Sequence, residues 1–339
     1  MNDLISIIIV NYNGKKWLQA CLDSIQNQTY KKFEVIFVDN NSNDDSIEFV
    51  KNNYGWINVV KNNENSGFAG GNIIGLNYAQ GKYIFLLNND TYLQDDCLEK
   101  LIEGFNKIPR AGSIQSKIIM MHDNSRLDGC GSYWTSSSFL YHFGYGQDQS
   151  SQKYNQPIQF FSNKGASMMI KKEVIEKVGF FDEDFWSYYE ETDLCHRIQI
   201  AGYECWYWPN AVAHHAIGGT SLNFDNSFIQ FHNFKNKLLS FLKNFQIITL
   251  LFVLPTYFFI TIILSLFWLI SGKFTHFFSI YKSFWWNMVN FNRTRIKRFK
   301  IQRLRKKSDR EIFEKTKKNP PILYYYYLFV GLEKYSEHH

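Results

Sequence analysis

No two cysteines in this chain stand at C-x-x-C spacing, and the five present (Cys21, Cys97, Cys130, Cys195 and Cys205) are odd in number and widely scattered. That excludes a disulfide framework and a zinc knuckle, and a reducing compartment is the simplest fit. Neither the dinucleotide fingerprint G-x-G-x-x-G nor the phosphate loop G-x-x-x-x-G-K-[ST] occurs, which sets aside the two familiar Gly-rich nucleotide sites. The chain enters a strand-like run after three residues. A charged n-region and an apolar h-region of signal-peptide type have no room there, so the N-terminal part is expected to stay in the cytoplasm.

What is present is unevenly distributed. The 339 residues carry a net charge of +6, but residues 1–230 balance at −8 and residues 231–339 at +14. The acidic part reads as a soluble domain, and the basic part needs an anionic partner. Aromatic content is 18%, which suits a protein that touches lipid or handles rings.

Ser6 to Val10 is rich in β-branched apolar residues, as in a strand covered on both faces of a parallel sheet. A helix with Trp17, Leu18, Cys21, Leu22 and Ile25 at helical spacing follows the turn Asn11-Tyr12-Asn13-Gly14. Phe33 to Val38 reads as a second strand, Asp44 to Asn52 as a helix, and Ile57 to Val60 as a third strand. This tempo predicts an α/β fold with a parallel, doubly wound sheet. Further strands are expected near Ser113 to Ile119 and Tyr203 to Trp208, and irregular loops over 121–159.

Polar residues gather where the strands end. Ile84 to Leu87 runs into Asn88-Asn89-Asp90, which places a carboxylate at the strand edge where open α/β sheets bind ligands. Such a group suits a hard divalent cation that bridges a phosphate-bearing substrate, although Asn and Asp also form ordinary turns. Asp39 ends the second strand and has the acceptors for a base or ribose, or serves as a turn residue. Asn65-Ser66-Gly67-Phe68-Ala69-Gly70-Gly71-Asn72 opens a helix, where free N–H groups attract anions. Further on, Phe181 to Leu194 packs six acids among five aromatics, with Glu190, Glu191 and Asp193 at a helix N-terminus. Clustered carboxylates beside apolar rings acquire the raised basicity of a general base, whereas the helix dipole explains them without function.

Taken in order, SIIIVNYNG, VDNNSNDDS, NSGFAGGN and LLNND resemble the N-terminal half of family 2 glycosyltransferases of GT-A fold, and N-x-G-F-A-x-G-N is similar to the rhamnosyltransferase-like branch. The resemblance implies an inverting transferase with a nucleotide-sugar donor. In it Asn11, Tyr12 and Asp39 hold the nucleoside, Asn65, Gly67, Gly71 and Asn72 lie near the sugar diphosphate, and Asp90 binds Mg²⁺ or Mn²⁺ in the role of the D-x-D motif. Asn88 stands where that motif begins with Asp. The string Y-E-E-T-D-L resembles the family's E-D-x-D, which implies Glu191 as base with Asp193 as the competitor and Glu190 beside them. In Pro209 to Ser221 the family pattern P-x-A…H…G-x-S implies a histidine near the metal, with His215 favoured over His214.

After Asn223 the character changes. Phe231 to Phe245 mixes Lys235, Lys237 and Lys243 with leucines, the pattern of an interfacial basic helix. Ile247 to Ile270 has no charge and at about 1.5 Å per residue is long enough to cross a hydrocarbon core of about 30 Å. Basic residues flank it on both sides, so it forms a re-entrant hairpin or 274–291 crosses back. The tail after Arg293 is expected on anionic headgroups rather than on nucleic acid. The expected division is a GT-A domain over 1–228 and a membrane-attachment module with a basic tail over 229–339, with a glycan or polyprenyl-lipid-linked acceptor. A nucleotide-sugar-binding protein without catalysis and a basic membrane adaptor are the rival classes.

Overall fold

A computed structural model describes residues 3–216 and 226–330, the last three without their side chains. The first elements are β1 (Ile5–Asn11), α1 (Lys15–Gln26), β2 (Phe33–Asp39), α2 (Ser46–Asn53), β3 (Asn58–Lys61), α3 (Gly67–Leu76) and β4 (Tyr83–Asn88). Next come β5 (Thr91–Leu93), α4 (Cys97–Lys107), β6 (Ala111–Met120), β7 (Asp123–Gly129), β8 (Gly131–Trp134), β9 (Leu140–Phe143), β10 (Ile158–Gln159) and β11 (Ser167–Lys171). The chain continues through α5 (Lys172–Val178), α6 (Glu190–Ile200) and β12 (Glu204–His215). It then becomes helical in α7 (Asn226–Asn244), α8 (Ile247–Ile270), α9 (Phe274–Val289), α10 (Phe291–Arg303), α11 (Asp309–Thr316) and α12 (Ile322–Val330).

The main sheet has the order β10-β12-β6-β11-β4-β1-β2-β3. β1 pairs in parallel with β2 and β4, in a register that sets Asn11 beside Asp39 and Val10 beside Asn88. Successive β1 side chains go to opposite faces, so Ile7 and Ile9 pack with Leu18, Leu22 and Leu98 on one side while Ile8 packs with Ala69 and Met168 on the other. Burial on both faces explains the unbroken apolar run.

The sheet is mixed, not wholly parallel. β11 runs antiparallel to both of its neighbours, with Ser167 beside Leu87 and Lys171 beside Tyr83. Its chain enters from Lys164-Gly165-Ala166 at the carboxyl edge of β4 and can only run back. The segment 121–159, expected as irregular, contains β7 and the β8–β9 hairpin. β12 runs to His215, past Pro209, with a register shift between Trp208 and Val212. The shift absorbs the proline, which has no N–H to give the ladder.

The C-terminal helices share the core of the sheet. Phe234, Leu238 and Phe241 of α7 and Leu250, Val253 and Tyr257 of α8 join one apolar cluster with Leu194 and Ile198 of α6. The lysines of α7 depart from an interfacial helix: Lys235 and Lys243 are buried, Lys243 pairing with Asp182 at 2.5 Å and Asp193 at 3.2 Å. Burying a lysine is tolerable only with such partners. Part of the basic tail is committed likewise, since Lys297 pairs with Asp182 and Asp184, and Arg293 with Glu183 and Asp184.

α8 matches the uncharged stretch end to end. Its buried residues, among them Leu250, Val253, Tyr257, Thr261, Leu264 and Trp268, recur at helical spacing, while Phe252, Phe259, Ile263 and Ile270 stand exposed. One stripe therefore lies along the protein and the rest is uncovered. A turn at Gly272 (φ 71°) returns the chain into α9, which runs beside α7 with Asn287 donating to the Lys235 carbonyl at 3.1 Å. By length and apolarity α8 is the one membrane-span candidate among the described residues.

Candidate active site

The carboxyl ends of β1, β2 and β4 form one polar rim. Asn11 donates to Asp39 Oδ1 at 2.9 Å, Asn89 donates to Asn11 Oδ1 at 2.7 Å, and the Ser42 N–H donates to Asp39 Oδ2 at 2.8 Å. Asn11 and Asp39 are fully buried, so they brace this rim from below, while Tyr12 is only partly covered.

The Gly-rich segment is arranged differently from a loop open to a ligand. Asn65 Oδ1 accepts from the Gly67 N–H at 3.0 Å, and the Trp186 carbonyl accepts from the Ala69 N–H at 3.2 Å. Gly67 has φ +70°, and a Cβ there would meet the Trp186 carbonyl at 2.1 Å. Gly71 is small because Val10 lies beneath it: a Cβ would meet Val10 Cγ1 at 2.5 Å. Two of these glycines thus serve close packing, and the buried Asn72 donates to the Phe68 carbonyl at 2.9 Å.

At the end of β4, Asp90 and His215 come together. β12 pairs with β5 so that His215 lies opposite Thr91, which sets His215 Nε2 3.1 Å from Asp90 Oδ1 and 3.3 Å from Asn88 Nδ2. His214 points away and stacks on Tyr92 at 4.5 Å, as alternation along a strand requires. The other ring nitrogen, His215 Nδ1, meets Asp128 Oδ2 at 2.7 Å, and Asp128 Oδ1 pairs with Lys164 Nζ at 2.5 Å. Burial acts to lower the His215 pKa, but Asp128 and Asp90 raise it to about 9. Burial acts to raise that of Asp128, and Lys164 and His215 hold it below the usual carboxylate range.

Asp128 and Lys164 were not among the sequence candidates. Asp128 lies in the segment expected to be irregular, and nothing in one sequence links it to a histidine 87 residues away.

No cluster of three His, Cys, Asp or Glu side chains suited to a metal occurs among the described residues. Asp90 and His215 nevertheless fit a divalent ion of the kind that takes one or two protein ligands and fills its other positions with phosphate oxygens and water. The Asp128–His215 contact is the outer-shell arrangement that orients a ligating imidazole.

The acidic cluster divides sharply. Asp193 is fully buried, accepting from Arg197 Nε at 2.9 Å and Asn244 Nδ2 at 2.9 Å besides its Lys243 pair. Burial acts to raise its pKa, yet Lys243 and Arg197 hold it below the ordinary value. Three donors and full burial commit Asp193 to an ion-pair network between α6 and α7. Glu191 is partly buried, and burial raises its carboxyl to about 7 against the pull of nearby backbone N–H groups and Lys164. Glu190 is buried and raised further by burial and by Glu191. Lys164 thus links the two halves of the site: it pairs with Asp128 and lies within electrostatic range of Glu191.

The loop before α6 is held in an unusual shape. Tyr188 and Tyr189 both have φ 73°, a region that bulky residues enter only when surroundings impose it. Asn236 of α7 imposes it here by donating to the carbonyls of Ser187 and Tyr188 at 2.8 and 2.7 Å. The Gly218-Gly219-Thr220-Ser221 part of the expected motif lies outside the described residues.

The family model described as glycosyl transferase family 2 matches residues 6–179. An uncharacterized glycosyltransferase of Haemophilus influenzae is 36% identical over 124 residues, covering 36% of this chain and 46% of its own. The Escherichia coli protein named UDP-Glc:alpha-D-GlcNAc-diphosphoundecaprenol beta-1,3-glucosyltransferase WfaP is 40% identical over 91 residues, covering 26% and 36%. The chain thus matches less than half the length of these curated relatives. Among solved structures, GalNAc-T7 with UDP, GalNAc and Mn²⁺ superposes with a TM-score of 0.56 at 17% identity, over 70% of this chain and 47% of that one. The Pyrobaculum calidifontis mannosyltransferase PcManGT with GDP-Man and Mn²⁺ gives 0.51 at 18%, over 70% and 62%. These structural likenesses speak for the fold alone. Family match and fold coincide over the sheet that carries the Asp90 rim, and the chain belongs to glycosyl transferase family 2 as a glycosyltransferase of GT-A fold.

Proposed function

We propose that this chain transfers a sugar, with inversion, from a nucleoside diphosphate sugar to a lipid-linked glycan at the cytoplasmic face of a membrane, in the synthesis of a cell-surface polysaccharide. The observation that carries the reading is the run Asp90–His215–Asp128–Lys164, which ties the end of β4 to the side of the sheet where Glu191 sits. Glu191, with its raised carboxyl, accepts the proton of the acceptor hydroxyl as that oxygen attacks the anomeric carbon, and the nucleoside diphosphate departs from the opposite face. Asp90 and His215 would hold Mg²⁺ or Mn²⁺, which supplies charge neutralisation for the leaving diphosphate. The rim at Asn11, Tyr12 and Asp39 bounds the nucleoside, and Asn88 contributes an amide beside the diphosphate. Asn65, Gly67, Gly71 and Asn72 shape the wall of that pocket through packing.

A lipid-linked acceptor is supported by the uncovered apolar face of α8 and α9, and by the diphosphoundecaprenol acceptor in the name of the Escherichia coli relative. For the donor, dTDP-rhamnose follows from the N-x-G-F-A-x-G-N form and a UDP-sugar from that same relative. The test is release of nucleoside diphosphate from a panel of dTDP-, UDP- and GDP-sugars, with Mn²⁺ and with chelator. One accepted donor, metal-dependent turnover and loss of the metal response in Asp90→Ala are expected. Full turnover in excess chelator would remove Asp90 and His215 from the metal role.

A further inference from the structure

Two hydrogen-bond donors near the start of α6 have no hydrogen-bond partner among the described residues. Lys237 of α7 is partly buried and makes no ion pair or hydrogen bond among the described residues; its ammonium lies 4.2 Å from the ring centre of Phe139 and 5.8 Å from that of Tyr189. The Tyr189 hydroxyl is buried and also lacks a partner. Every other lysine of α7 is engaged: Lys235 donates to the Asp184 carbonyl at 2.6 Å and Lys243 pairs with Asp182 and Asp193. Burial without a compensating charge lowers the Lys237 pKa to about 8, so the cost of leaving it unpaired is real. A cation held only by ring faces, near a tyrosine whose hydroxyl has no partner, is suited to an anion that arrives from outside.

Phe139 also belongs to a second feature. It lines a mainly apolar groove of about 630 Å³ together with Ile260, Ile322 and Tyr325, the polar lining being Ser136, Ser137 and Asn319. Ile260 lies on α8, whose uncovered face continues away from the groove. Residues 226–308, which supply α7 to α10, contain no Asp or Glu, so nothing along this path repels an anionic headgroup. On the other side, Tyr189 stands two residues before Glu191.

We propose that Lys237 and the Tyr189 hydroxyl bind the diphosphate of an isoprenoid lipid acceptor, whose hydrocarbon chain leaves through the groove past Phe139 and Ile260 toward the membrane. This rests on the lipid-acceptor reading and adds the residues that grip the acceptor. The diphosphate would be held next to the loop that leads into Glu191, so the attached sugar reaches the base while the chain stays in lipid.

The experiment is calorimetric titration of the full-length chain in detergent, with EDTA present to suppress diphosphate binding at Asp90. The probes are farnesyl diphosphate, farnesol and inorganic pyrophosphate. Farnesyl diphosphate should bind tighter than either of the others, and Lys237→Met should weaken it by at least about tenfold, the factor expected from one charge-assisted contact. Lys237→Arg should restore most of the affinity, and Tyr189→Phe should weaken it alone. Filling the groove with Ile260→Trp should reduce farnesyl diphosphate binding and leave pyrophosphate unchanged. Because only the Phe139 and Tyr189 rings hold Lys237, its replacement by Met should lower the thermal midpoint far less than Lys243→Met, whose lysine is ion-paired. Equal affinity of wild type and Lys237→Met for farnesyl diphosphate overturns the proposal, as does pyrophosphate binding as tightly as the lipid. Release of nucleoside diphosphate from the donor panel by the wild-type chain separates the two failures: turnover without farnesyl diphosphate binding overturns this site and leaves the transferase reading standing, and absence of turnover with every donor overturns that reading.

Discussion

Glu191 and Asp193 lie two residues apart on one helix, and burial pushes both carboxyls upward, yet they end on opposite sides of the ordinary value. The difference is the company each keeps: Lys243 and Arg197 both draw Asp193 down, whereas backbone N–H groups and the single cation Lys164 only partly offset burial at Glu191. A base must be deprotonated to work, so turnover should rise as pH passes through about 7 and level off above it. Glu191→Gln should remove that limb and lower kcat by about 10² to 10⁴ with donor affinity kept. Near-normal kcat in this variant would exclude Glu191. Lys164→Met removes the cation that favours the charged form, so its limb should move to higher pH. At the other end of the same run, Asp128→Asn should weaken apparent Mn²⁺ affinity by about 10 to 100-fold, as loss of an outer-shell partner does. Restoration of turnover by added Mn²⁺ would distinguish this from a collapsed site.

At the scale of elements, α7 is the part whose role differs most from its pattern. Lysines among leucines at helical spacing read as a membrane-surface face, and a single sequence carries no sign that Asp182 and Asp193, some fifty residues earlier, are waiting for Lys243. The limits of α8 were legible because absence of charge over 24 residues needs no partner to interpret. The direction of β11 was not, since an apolar strand reads alike in either sense. LLNND and the histidine could be placed from sequence, but Asp128 could not, because its significance arises only when β7 folds against β6 and brings it to His215. Lys243→Met leaves Asp193 buried beside one cation instead of two, and should destabilise the chain by about 3 to 5 kcal/mol, read as a lower denaturation midpoint. The pH dependence follows from the same pairs. The carboxyls of Asp182 and Asp193 are held below the ordinary range, and Asp309 is lowered to about 2, burial notwithstanding. Their pairs therefore stabilise the fold above about pH 4, and that stabilisation is lost as acid protonates them. Wild type should lose thermal stability steeply below pH 4, and Lys243→Met less steeply.

At the scale of the molecule, α8 is long enough to cross a bilayer but has one stripe packed along its length. Upright insertion would drag α7, with its buried lysines and their aspartates, into hydrocarbon, at several kcal/mol for each charge. On the membrane reading proposed above, the arrangement that suits both faces of α8 is a hairpin of α8 and α9 lying in one leaflet, with the exposed Trp285, Lys300 and Arg303 toward the headgroups. Phe252→Asp with Ile263→Asp, both on the uncovered face, should release the protein from anionic vesicles in flotation while leaving its fold intact. Labelling of single cysteines introduced at Ser271 and Lys300 should report the same side of a sealed membrane; opposite sides would mean a crossing.

The paired left-handed tyrosines before α6 have a consequence for how such enzymes can be recombined. Their shape is dictated by Asn236 from another part of the chain, so the helix bearing Glu191 has no independent memory of its starting angle. A chimera joining this sheet to foreign C-terminal helices would keep the Asn11–Asp39 rim and forfeit the alignment of Glu191, the base of the proposed reaction. The unit for grafting therefore cannot be cut between the sheet and α7, and the proposed specificity could be transplanted only by carrying Asn236 together with Glu191 and the run from Asp90 to Lys164.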